Sequence, residues 1–180
     1  VMLKNRRIGT SQSGIIDAFA KFGRRTILNW CNKGYDFLKK LDEELSEFFC
    51  IPKSIKITTV KPSGTVSLLP GVSPGIHYPH SEYYIRRIRI AENSTLIPIL
   101  REAGYFIEKD VYSDSLVVEF PVREENFIRS KNHVTIWEQV ANAIDYQKYW
   151  SDNQVSITVT FKPEEVDDIV HVLQFSEDKL

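Results

Sequence analysis

The chain has 180 residues, 42% of them hydrophobic and 12% aromatic, enough to bury one ordinary core and within the usual length of a single domain. Lysine and arginine together number 23 against 24 aspartates and glutamates, so no net field points to a nucleic-acid polymer or an anionic membrane, while a small anionic ligand stays compatible. No run of about 18 apolar residues is present to span a bilayer, and the opening VMLKNRRIGT lacks a secretory signal's apolar core and cleavage site, so a cytoplasmic, soluble protein is expected.

Val1 and Met2 stand ahead of Asn5-Arg6-Arg7-Ile8-Gly9 with no earlier element to pack on, which reads as a cut chain. Ile15, Ile16, Phe19 and Phe22 suggest a short helix ending at Gly23. From Thr26 to Cys50, Ile27, Cys31, Leu38, Leu41, Leu45 and Phe48 recur at helical spacing with charged residues between them; Gly34 should cost this amphipathic helix about 1 kcal/mol relative to alanine. Pro52 marks where it has already ended. Cys31 and Cys50 are too few, and too helical in context, for a disulfide framework or a four-ligand zinc site, and are expected to be buried or idle thiols.

Ser54 to Val60, SIKITTV, is β-branched and predicts a strand running into Lys61-Pro62-Ser63-Gly64-Thr65-Val66-Ser67. Proline and glycine then dominate through Gly75. Tyr83 to Ile90 predicts a strand, Asn93 or Ser94 can cap a helix ending before Gly104, and Tyr105 to Lys109 with Leu116 to Val122 predict a strand pair. Thr135 and Glu138 form a capping-box pattern, and Trp137, Val140, Ala141 and Ile144 give the following helix, running to about Trp150, a buried stripe. Val155, Ile157, Val159 and Phe161 alternate with Ser156, Thr158 and Thr160, predicting a strand with one apolar and one hydroxyl face. Pro163 opens a last helix carrying Val166, Ile169, Val170 and Leu173. This order suits an α/β layered or barrel architecture, without internal boundary over residues 1–180.

The stretch after the first long strand is the most suggestive chemically. Glycine permits close backbone approach, and clustered amides with Ser and Thr hydroxyls can bind phosphate oxygens. By itself the signal also fits an ordinary strand-exit turn, and neither G-x-x-x-x-G-K-[ST] nor G-x-G-x-x-G is present. His77, His80, His133 and His171 have no ligand spacing and read as surface or loop residues. Arg86, Arg87 and Arg89 could reach phosphate or cofactor, or be salt-bridged at the surface. The hydroxyls of Ser156, Thr158 and Thr160 could point toward a substrate or line a solvent-facing edge strand.

Thr58 to Ile90, TTVKPSGTVSLLPGVSPGIHYPHSEYYIRRIRI, resembles the stretch of adenosylcobalamin-dependent ribonucleoside-triphosphate reductases that has the form KPSGT-SLL-GV-PG-H followed by YYIRR-RI. NRRIGTS at Asn5 to Ser11, LVVEFP at Leu116 to Pro121 and DNQVSITVTF at Asp152 to Phe161 are similar to the same family in the same order. The resemblance implies part of a ten-stranded α/β barrel, its second half, in an enzyme that replaces the ribose 2′-hydroxyl by hydrogen through a cysteine thiyl radical generated by adenosylcobalamin. It implies a ribonucleoside triphosphate substrate, thioredoxin or a similar dithiol as reductant, and a deoxynucleotide effector bound outside this stretch.

Carried over position by position, Ser63, Gly64, Thr65, Val66 and Ser67 match that family's substrate-phosphate loop. The family's radical cysteine lies in an N-x-C-x-E pattern, with a redox cysteine pair elsewhere; neither is identifiable here. Asn29-Trp30-Cys31-Asn32-Lys33 imitates its first half, but lysine replaces the glutamate and cannot serve as the carboxylate base, so no catalytic residue is assigned. The missing residues are expected outside this stretch. Alternatives are a non-catalytic phosphate-binding or structural half-barrel module, or a reductase of another radical class. The paired tyrosines of the diferric class would fall near Asn153 to Ser156, where this chain reads Asn-Gln-Val-Ser.

Overall fold

The computed structural model describes residues Met2–Leu180, a mixed α/β chain whose contacts divide into two compact units. The first comprises the residues up to His80 together with Glu125–Leu180, and the second is Ser81–Glu124.

In the first unit, α1 (Met2–Asn5) leads into β1 (Arg7–Thr10), which pairs in parallel with β2 (Lys56–Thr58); Arg7 lies opposite Lys56 and Thr10 opposite Thr58, so β1 carries one extra residue, a bulge. Just past β2, Val60 bridges in parallel to Val155, and the Ser156 N–H donates to the Val60 carbonyl at 3.0 Å. The part of this layer from Ile57 to Val60 with Val155 is thus buried, as its β-branched sequence demands, whereas β1 is exposed along its length. It is covered by α2 (Ile15–Phe22), α3 (Arg24–Phe48) and α5 (Ile136–Tyr149), whose Ile15, Ile27, Cys31, Ala143 and Tyr146 form one core with Val60, Ile76 and Val155. At the far end of α3, the Asp42 carboxylate accepts from both the backbone N–H and the hydroxyl of Ser54, fastening the turn that returns the chain to β2. A 3₁₀ turn at Pro163–Glu165 and α6 (Asp168–Ser176) close the chain, with Val172 packed on Ile136 and Val140 of α5.

The second unit is a three-stranded antiparallel sheet in the order β3 (Tyr83–Ala91), β5 (Ser115–Arg123), β4 (Ile107–Lys109), with α4 (Leu96–Glu102) on one face. Ile97, Leu116 and Val118 form its core, and Ile90, Leu100 and Phe120 pack round it. On the opposite face Arg87 pairs with Glu108 and Glu119, and Arg89 with Asp110, so both are engaged in ion pairs.

Three expectations need correction. Residues 157–161 form no strand: after the Val155 bridge their backbone is bound by side chains instead. Trp137 is not part of the buried stripe of α5; it is 38% exposed and stacks edge-on with Phe175, while Gln139 and Asn142 take buried places. On the last helix the buried residues are Val172 and Ser176; Val170 and Leu173 face outward, as does Val166 just before it. No helix among the described residues is long and apolar enough to cross a membrane.

Candidate functional site

The candidate loop rises from the most securely held strand of the first unit. Ile57, Thr58, Thr59 and Val60 are buried, and their polar groups are consumed by the turn after α5. The Thr58 hydroxyl donates to the Trp150 carbonyl, the Asp152 N–H donates to that hydroxyl at 3.0 Å, and the Trp150 indole donates to the Thr59 carbonyl at 3.1 Å. The Asn153 amide spans both strands, donating to the Thr58 carbonyl at 2.7 Å and to the Ile8 carbonyl at 3.1 Å. Asp152 receives the Ile57 N–H and the Tyr35 phenol; desolvation and the Asp152 carboxylate push that phenol up to about 12. Full pairing of this kind makes β2 a rigid platform.

At Lys61 the chain reaches the surface, where its N–H donates to the Ser11 hydroxyl at 3.1 Å. Ser63 adopts a positive φ of 52°, a region that non-glycine residues seldom occupy outside turns and functional sites. Its hydroxyl donates to the Lys61 carbonyl, and its own carbonyl accepts the Ser67 N–H at 3.0 Å. A 3₁₀ turn, Val66–Leu68, follows. Ser67 is buried and its N–H is used inside the loop, whereas Gly64, Thr65 and Val66 are exposed, and the N–H groups of Gly64 and Val66 have no acceptor among the described residues. A Cβ placed on Gly64 would meet nothing within 4 Å, so a side chain fits there without displacing a neighbour. The five predicted residues therefore form one turn in which two amides are available to an anion and Ser67 serves the fold.

The returning limb is locked on several sides. Gly75, at φ 56°, lies so close to the outgoing limb that a Cβ would fall 2.3 Å from the Lys61 carbonyl oxygen. The first amides of α2 are not available to an anion: Gly14 and Ile15 donate to the carbonyls of Ser73 and Gly75, and the Ser73 N–H donates to the Asp17 carboxylate. Ile76 enters the core, and Tyr78 donates to Glu138 at 2.5 Å while accepting from Asn142 at 3.2 Å. Arg129 pairs with that same Glu138 and lies over the Tyr78 ring, beside a cavity of about 330 Å³. Burial and the Glu138 acceptor raise the Tyr78 phenol and hold it protonated.

Sequence reasoning placed the loop but missed these clamps. A histidine and tyrosine inside the glycine-proline run Pro74-Gly75-Ile76-His77-Tyr78-Pro79 were the available signal, since such residues in a turn must find partners. Cys31 lies mid-helix in α3 and is buried near the Gln12 amide and the Tyr146 phenol; burial raises its thiol, the reverse of what an activated cysteine needs. Cys50 is exposed just beyond α3.

No family model matches the chain. It is 52% identical over 182 residues to a probable adenosylcobalamin-dependent ribonucleoside-triphosphate reductase of Dictyostelium discoideum, a match covering 100% of this chain and 24% of that protein. The enzyme of the same name from Euglena gracilis is 48% identical over 166 residues, covering 91% of this chain and 23% of its own length, and that of Lactobacillus leichmannii 36% over 205 residues, covering 97% and 28%. A solved B12-dependent (class II) ribonucleotide reductase superposes with a TM-score of 0.83 at 34% identity, over 99% of this chain and 29% of that one. The chain spans about a quarter of the length of the curated relatives it matches. In sequence and in fold, therefore, it belongs to the adenosylcobalamin-dependent (class II) ribonucleotide reductases, matching about a quarter of their length.

Proposed function

We propose that this chain is the phosphate-holding part of a reductase that converts ribonucleoside triphosphates to 2′-deoxyribonucleoside triphosphates, with Ser63, Gly64, Thr65, Val66 and Ser67 forming the substrate-phosphate loop. The observation that carries the reading is the pair of amides at Gly64 and Val66, without an acceptor among the described residues, in an exposed turn that follows a buried strand, in a chain 52% identical to a protein of that name. Preorganised amides attract anionic oxygens without placing a titrating group beside a radical. Lys61, exposed at the loop's entry, adds a positive charge on the same limb.

Adenosylcobalamin, when bound, would supply the initiating radical; the protein's task is to orient the nucleotide and exclude side reactions. No group of three or more His, Cys, Asp or Glu converges among the described residues, and none of this chain's residues is assigned to the cofactor. The same reading makes thioredoxin or a similar dithiol the reductant, places a deoxynucleotide effector outside this stretch, takes residues 1–180 as one piece of the catalytic barrel domain, and sets the enzyme in the cytoplasm.

Binding of a nucleoside triphosphate to the full-length protein with Gly64→Asp tests the loop. The new side chain meets no neighbour, so the fold is retained, while its carboxylate stands among the proposed phosphate donors. Affinity should fall at least tenfold by calorimetry, about the effect of 1.4 kcal/mol. Unchanged affinity removes the loop from the site.

A further inference from the structure

His77 joins the candidate loop to a segment more than 80 positions away, and both of its ring nitrogens are used. Nδ1 lies 3.1 Å from the Pro74 carbonyl oxygen, and Nε2 accepts the Thr158 N–H at 2.9 Å. A backbone N–H can only donate, so Nε2 presents its lone pair and the neutral ring carries its proton on Nδ1, donating to Pro74. The ring therefore bridges two backbone segments that share no ladder.

What lies at each end gives the bridge its meaning. Pro74 precedes Gly75, whose Cα is pressed against the outgoing limb, 2.3 Å from an added Cβ to the Lys61 carbonyl and 3.2 Å to that of Pro62. Pro62 leads directly into Ser63 and the open amides of Gly64 and Val66. Thr158 follows the Val60–Val155 bridge, so it is tied to the strand from which the loop rises. A displacement of the Pro74–Gly75 turn toward the outgoing limb would have to move the Lys61–Pro62 peptide as well, because no space separates them, and a displacement away would leave that peptide without its packing partner.

We propose that His77 is a positioning residue for phosphate binding: by accepting the Thr158 amide through Nε2, it holds the Pro74–Gly75 turn against Lys61 and Pro62 and so fixes the loop amides in register. This rests on the reading of Ser63–Ser67 as the phosphate loop. The role requires an acceptor at the Nε2 position, not the imidazole itself. Glutamine extends its amide oxygen to about that position, whereas the shorter asparagine reaches only the Nδ1 position and serves Pro74 alone.

The test compares His77→Gln with His77→Asn in the full-length protein, with Gly64→Asp alongside, measuring binding of ATP and of adenosine, which lacks the phosphates, by calorimetry. His77→Gln should bind ATP within about twofold of the parent, and His77→Asn about fivefold to tenfold more weakly, the effect of one lost hydrogen bond, with adenosine binding unchanged in both. His77→Phe, which fills the ring volume without an acceptor, should match the asparagine variant, and thermal melting of all three identifies any that fails to fold. Asparagine binding ATP as tightly as glutamine, or adenosine affinity falling in parallel with that of ATP, overturns the inference. If Gly64→Asp abolishes ATP binding while His77→Asn does not weaken it, His77 alone falls. If Gly64→Asp changes nothing, the phosphate-loop reading falls and the role of His77 with it.

Discussion

Glu165 shows how a single buried carboxylate organises two chain segments. One oxygen accepts the Ile136 N–H at 3.0 Å at the start of α5, and the other accepts the Lys162 N–H at 2.9 Å at the start of the following 3₁₀ turn. The Lys162 and Ile136 amides, in that order, lower its proton affinity below the ordinary value of 4.5. A depressed folded value means that the stabilisation is complete above about pH 4.5 and is lost as pH falls through the folded value. Glu165→Gln turns an amide N–H₂ toward one of the two donors and should destabilise the first unit by about 2 kcal/mol near pH 7. Urea unfolding at pH 7 and pH 3 measures this; the gap between parent and variant should narrow at the lower pH. Ser63 and Gly75 make the complementary point, because both hold backbone geometry that the loop needs and most residues resist.

Among the elements, those with a sustained period were legible in the sequence. The stretches 15–22, 83–90 and 116–122 and the two long helices emerge within a few residues of expectation, and Thr135 caps α5 by accepting the Glu138 N–H at 3.2 Å. Residues 157–161 were not legible, since their period-two pattern is that of a strand while the groups that bind them lie far off in sequence. Gln139 imitates a strand partner: its amide oxygen accepts the Thr160 N–H at 3.0 Å and its nitrogen donates to the Thr160 carbonyl at 2.6 Å. The side chain that makes this possible lies outside the stripe expected at Trp137, Val140, Ala141 and Ile144, and no periodicity rule separates a buried glutamine from an exposed one. Gln139→Leu keeps the volume but leaves both Thr160 groups without their partner, so amide exchange at Thr160 should accelerate well beyond that at Thr58, with a stability loss of about 1–3 kcal/mol. Equal exchange at the two sites would show that the clamp contributes nothing local.

At the scale of the whole molecule, the fold class and the loop's position were readable because long stretches of sequence carry them, whereas the clamps around His77, Tyr78 and Gln139 depend on contacts that only folding creates. Val170 and Leu173 on α6, Val166 just before it, and Phe48 and Phe49 at the end of α3 lie exposed in a chain about a quarter the length of its relatives. Neither cysteine has the asparagine and glutamate partners of a radical site: Cys31 is buried inside a helix, and Cys50 follows a phenylalanine pair. The 180-residue chain by itself should therefore give no deoxynucleotide when incubated with a ribonucleoside triphosphate, adenosylcobalamin and a dithiol. Product detected by chromatography would place the radical cysteine within this stretch after all.

The long reach of the bonds around β2 also governs how such a chain is made. Ile57 and Thr58 find their Asp152 and Asn153 partners 94 or 95 positions later. At about 5–20 residues per second of translation, the strand emerges from the ribosome roughly 5–20 s before the residues that complete it. Through that interval a β-branched run stands open to mispairing with other nascent chains. Lys53, Lys56 and Lys61 punctuate it at both ends and near its middle, a spacing of like charges that discourages such association. The same lysine that opens the candidate phosphate loop thus also guards its strand before the loop exists.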